Sequence, residues 1–170
     1  MKLFLISLTL LAAAVVNAQS PIGNDTKMVW GIASGNIVKA AEKMPEESYA
    51  FKPSHDVRSF AQLVGHVSDA AYTFCSAAKG EQKAPMNIEK EKSSKADLVA
   101  AVKEAVAYCN AVLSDMTDVK GAEAVKFFGG DRTRLGVLGF NNAHTMEHYG
   151  NMVTYMRIRG IVPPSSEPRR

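Results

Sequence analysis

Four stretches of this chain place apolar residues every three to four positions, and none sustains the alternation of a half-buried strand. A chain patterned in this way can bury its apolar stripes only by laying helix on helix. The first helix is expected from about Thr26 to Met44, with Trp30, Ala33, Ile37, Ala40, Ala41 and Met44 on one face and Pro45 closing it. The second runs from about Phe60 to Ala78. Ser59 and Gln62 at its head fit a capping box, and Phe60, Leu63, Val67, Ala70, Ala71 and Phe74 form its buried side. The third runs from about Lys95 to Met116, headed by Ser94 and Asp97, with Leu98, Val102, Ala105, Val106, Cys109, Val112 and Leu113 inward. The fourth runs from about Thr133 to Arg159 and is stopped by Gly160 and Pro163-Pro164. Gly136 and Gly139 inside it suggest close packing of a neighbouring helix. The expected class is all-α, a four-helix bundle.

Between these segments lie two irregular ones, the polar stretch Lys79 to Ser94, which reads as a solvated loop, and the stretch Thr117 to Asp131 with its Gly129-Gly130 pair. Ahead of them, Lys2 is followed by an uncharged apolar run ending in Val16-Asn17-Ala18, the pattern of a secretory signal peptide cleaved after Ala18. The run is too short to span a bilayer, so no stable membrane insertion is expected once it is removed. Removal leaves residues 19–170, 152 residues, enough for one domain with its own core. The formal charge of +3 falls to +2 without Lys2 and is scattered, which gives no warrant for a nucleic-acid partner. Export brings an oxidising compartment. Even so, Cys75 and Cys109 both fall late in their helices, so an antiparallel pairing of the two helices leaves them out of register. Buried free thiols are the expectation.

The chemistry concentrates in the histidines. His144 and His148 in "NNAHTMEHYG" are one turn apart on the fourth helix, about 40° from each other around its axis, so both imidazoles can reach one point. His66, in "LVGHVSDA", sits on the apolar side of the second helix. Each alone can be a core histidine, and HxxxH alone is a weak signal. Three together are harder to dismiss, because six ring nitrogens then need partners and a metal satisfies three of them at once. Three neutral nitrogen ligands suit a divalent ion, zinc or nickel first with manganese or iron as alternatives, and leave a coordination position open. "HTMEH" also matches the HxxEH pattern of inverted zincins, but the chain beyond it is too short for their further ligand, and Glu147 points away from His148. His55 reads most simply as an exposed turn residue, with a role at the mouth of the site as the alternative. Asp69 could orient a ligand from behind, or simply be solvated.

"RSFAQLVGHVSDA" with its single histidine, followed by "HTMEHYGNMVTYMRIRGIVPPSS", resembles the DinB/YfiT-like superfamily, and "MPEESYAFKP" resembles that family's connector. The resemblance implies an up-down-down-up bundle with long crossover connections and a divalent metal held by His66, His144 and His148. It also implies a small-molecule substrate, and among characterised relatives a thiol-dependent transferase chemistry that an exported protein would lack the reduced thiol to run. The functional expectation is an exported metal-dependent hydrolase or transferase, with the metal as Lewis acid or activator of bound water. The alternatives are a non-catalytic metal-binding protein and a stress-associated interaction module, in which a bundle face could form a homodimer.

Overall fold

The computed structural model describes residues 20–81 and 86–168; the expected signal segment lies outside them. Four long helices carry the fold: α1 (Pro21–Lys43), α2 (Phe60–Lys79), α4 (Lys95–Ser114) and α6 (Arg134–Ile158). Two short helices, α3 (Ile88–Glu91) and α5 (Asp118–Gly121), sit in the connections. Strands β1 (Ala124–Phe127) and β2 (Gly130–Thr133) pair antiparallel just before α6.

Direction follows from which residues meet. Trp30 Nε1, early in α1, donates to Asn110 Oδ1, late in α4, at 2.8 Å, so these two helices are antiparallel. His66, early in α2, meets His148, late in α6, and Phe74 meets Phe140, so these are antiparallel as well. Arg159 Nε, just past α6, donates to Ser48 Oγ just beyond α1, so α1 and α6 run together. The order is up-down-down-up, with α1 against α4 and α6, and α2 against α4 and α6.

The helix boundaries are largely those expected, and the capping box of Ser59 and Gln62 is formed in both directions. The departures have local causes. Helix α1 begins at Pro21 rather than near Thr26, because its first amides are satisfied from across the bundle: the Asp118 carboxylate accepts from Ile22 N at 3.3 Å and Gly23 N at 2.7 Å. Gly136 and Gly139 do not mark a helix contact. A side chain at Gly136 would meet the Thr133 hydroxyl that caps α6, and one at Gly139 would meet open space.

The expectation of free thiols is overturned, since Cys75 and Cys109 form a disulfide with Cα atoms 5.4 Å apart. The register argument assumed antiparallel helices. Here α2 and α4 run parallel, and two cysteines equally late in parallel helices lie at one level. Closing a loop of 34 residues in the unfolded chain gives such a bond about 4 kcal/mol in the chain-entropy account.

Candidate metal centre

Three turns of helix and one connection build the site. On α2, His66 follows Gly65, whose missing side chain is what admits α3: a Cβ there would lie 2.6 Å from the backbone Cα of Glu89. One turn on, Asp69 accepts from the amides of Ile88 and Glu89, both at 2.9 Å. The polar connection expected to be a solvated loop is therefore clamped against α2 at this point, and the clamp delivers Glu89 to the site. Asp69 acts through the connection rather than on a histidine.

Glu89 uses its two oxygens separately. Oε2 is 3.0 Å from His66 Nδ1, and Oε1 accepts from Arg58 Nε at 2.8 Å. A carboxylate at Nδ1 holds the proton there and turns the Nε2 lone pair of His66 inward. Arg58 is fixed in turn by Tyr155, whose hydroxyl donates to its carbonyl at 2.7 Å.

The ring nitrogens converge. His144 Nε2 is 3.2 Å from His66 Nε2 and 3.1 Å from His148 Nε2, and one ligand nitrogen from each of the three lies within 4.8 Å of the others. A single neutral Nε2 carries either a proton or a lone pair, so His144 cannot satisfy both neighbours by hydrogen bonding. A divalent ion accepts all three lone pairs. Nitrogens about 2.1 Å from such an ion in tetrahedral array stand about 3.4 Å from one another, close to the spacing found. The donor set fits a metal, and these three histidines could hold one.

Burial disfavours the protonated form of His144 and His148. Burial, then the neighbouring His148 and His66 rings, then Arg58, push His144 from 6.5 down to about 4. Burial also lowers His148, with His66 adding to it. His144 Nδ1, and close to it in the chain Asn141 Oδ1 and Thr145 Oγ1, are buried without a hydrogen-bond partner among the described residues. Asn141, one turn before Thr145, directs its amide at the disulfide sulfurs, 3.6 and 3.9 Å away.

A cleft of about 730 Å³ opens at His148, walled by Arg58, Glu89, Glu147, Asn151 and Tyr155. Lys52 and His55 also line it, His55 being the exposed residue expected from the sequence. Glu89, Arg58 and Gly65 had no sequence signal that set them apart, because their roles depend on a contact across more than 20 residues of chain.

With this geometry in hand, comparison with known proteins is decisive for family. A sequence profile of the DinB superfamily matches residues 33–152, which include all three histidines. The chain belongs to the DinB superfamily. It is similar to the uncharacterized protein YjoA of Bacillus subtilis (strain 168), 25% identical over 123 residues that make up 71% of this chain and 79% of YjoA. Its fold matches a DinB-like protein from Bacillus cereus ATCC 10987, with a TM-score of 0.72 and 18% identity over 83% of this chain and 95% of that one. It also matches the crystal structure of YjoA, with a TM-score of 0.69 and 21% identity over 86% of this chain and all of that one. At these identities the structural likeness speaks for the DinB fold.

Proposed function

We propose that this DinB protein is an exported metal-dependent enzyme that holds one divalent ion on His66, His144 and His148 and acts as a hydrolase or transferase on a small molecule entering by the cleft at His148. The observation that carries the reading is the convergence of three imidazole nitrogens within 4.8 Å, one of them already oriented by a carboxylate. Three ligands from two helices leave positions for substrate, where a closed structural site would supply four. The ion would supply Lewis acidity at the end of the cleft. The chain's own part is to keep His144 and His148 neutral by burial, to fix the tautomer of His66 through Glu89, and to hold Glu89 through Arg58. Arg58 and Lys52 share the cleft with Asp56, Glu89 and Glu147, a lining of both charge signs suited to a polar substrate group.

Export is part of the proposal, and the Cys75–Cys109 disulfide supports it, because such bonds persist in oxidising compartments. No helix among the described residues is long and apolar enough to cross a membrane.

The test begins with metal content. The chain from Gln19, expressed to an oxidising compartment, should carry about one divalent ion, and a His66→Ala/His144→Ala variant should carry none while keeping its helical spectrum. An unmetallated wild type that also resists reconstitution with zinc, nickel and manganese would overturn the reading. A metallated protein should then hydrolyse or transfer some member of an ester, amide and thiol-acceptor panel in a His144-dependent way.

A further inference from the structure

The turn joining β1 to β2 consists of Phe128 and Gly129, with φ of +48° and +73°. Positive φ at both central residues defines the tight hairpin turn that Asn-Gly normally fills. A bulky aromatic residue is held in the left-handed region at a conformational cost. Burial does not return that cost, because Phe128 remains 72% exposed. The turn therefore holds a phenyl ring out at the surface against its own conformational preference.

What the ring joins is a cluster running up to the histidines. Phe128 lies 4.0 Å from Phe127, 6.2 Å from Phe74 and 6.1 Å from Phe140, which is itself 52% exposed. Phe74 in turn lies 5.4 Å from Phe140 and 5.4 Å from the ring of His144. Phe140, His144 and His148 succeed one another at single turns of α6, about 6 Å per step, and His66, Ala70 and Phe74 do the same in reverse order on α2. The two rows lie side by side, with imidazoles at one end and aromatic rings at the other, and between His66 and Phe74 the row on α2 carries only the small side chain of Ala70.

Resting on the metal-centre reading above, we infer that Phe128 and Phe140 are specificity-determining residues: they form an aromatic wall that binds the apolar, preferably aromatic, part of the substrate while its reactive group lies at the histidines. The polar cleft lies on the His148 side and the wall on the His144 side, so the metal centre stands where the polar and apolar parts of such a substrate join.

The test uses a matched pair of small metal chelators, acetohydroxamic acid and benzohydroxamic acid, titrated calorimetrically into zinc-loaded protein. The wild type should bind the phenyl compound about tenfold more tightly than the methyl one. Phe128→Ala and Phe140→Ala should each bring that ratio down severalfold and leave acetohydroxamate binding unchanged. Phe128→Gly, which removes the ring and the strained φ together, should do the same in a protein at least as stable as wild type, so a misfolded Phe140→Ala would not protect the proposal. A ratio unchanged in the variants overturns the wall while leaving the metal centre standing. Failure to load metal, read by elemental analysis, overturns the centre and the wall with it. A third result would also overturn it: wild type eluting as a dimer and Phe128→Ala as a monomer at equal ratio, which would assign the rings to a second copy of the chain.

Discussion

Glu89→Ala should weaken metal binding without unfolding the protein, and the structure sets the size of the effect. The substitution removes the carboxylate 3.0 Å from His66 Nδ1 and strands Arg58 Nε, which loses a 2.8 Å partner. His66 is then free to place its proton on Nε2 and to rotate about its terminal torsion. Loss of an outer carboxylate of this kind lowers metal affinity by about 10- to 100-fold, equivalent to about 1.4–2.7 kcal/mol. Because Arg58 and Glu89 are both partly exposed, the stability cost of their broken pair is smaller, about 0–1 kcal/mol. Zinc affinity measured in competition with a chromophoric chelator, beside urea unfolding of the apo proteins, separates the two. Glu89→Gln keeps an acceptor oxygen and loses the charge, so it should fall between. The reasoning is refuted by a Glu89→Ala protein that binds zinc as tightly as wild type while His66→Ala does not bind it.

Gly65→Ala should act on the same contact from the other side, pushing the backbone of α3 off α2 and lowering zinc affinity in the direction of Glu89→Ala although it touches no ligand. Asp69→Ala leaves the amides of Ile88 and Glu89 without their acceptor, a loss of about 1–3 kcal/mol by urea titration accompanied by weaker metal binding. The apo protein should lose stability as pH falls from about 6.5 to about 4. The unfolded chain takes up a proton on His144 near 6.5 and the folded one only near 4, so in that window the unfolded state binds more protons. Urea midpoints across the window should show the slope in wild type and a shallower one in His144→Ala. Zinc binding should steepen it, because the metal keeps the same nitrogens proton-free in the folded protein while those of the unfolded chain still take up protons.

The helices were legible because each is a long stretch whose apolar residues share one period, and Ser59, Ser94 and Thr133 mark starts that need only local chemistry. The three histidines were legible for a related reason: a 3.6-residue repeat fixes which side chains share a face. What the sequence concealed depends on chain direction and on distant contacts. Cys75 and Cys109 look out of register until α2 and α4 are known to be parallel. Glu89 lies in a stretch that reads as solvated loop, and only the absent side chain of Gly65 and the acceptors of Asp69 bring it home. The hairpin escaped notice because its strands have four residues each and its turn carries Phe128 where Asn would have announced it.

These contacts converge on α2. Gly65 and Asp69 dock the connection, His66 faces α6, Phe74 receives the hairpin and Cys75 is bonded to α4. A ligand set tolerates displacements of only about 0.5 Å, so a helix that carries one ligand gains from being held on every side. The disulfide and the connection hold it at different levels, however. Cys75 lies nine residues beyond His66, about 13 Å along the axis, whereas Gly65 is adjacent to it. Rigidity near the ligand should therefore come from the Glu89 clamp, and global stability from the disulfide. Replacing both cysteines by alanine should cost about 4 kcal/mol in urea unfolding and leave zinc affinity within about threefold of wild type. Gly65→Ala should do the opposite, with a modest change in stability and a larger one in affinity. If the cysteine variant instead loses zinc affinity as steeply as Glu89→Ala, the bundle transmits strain along α2, and the separation of the two devices is wrong.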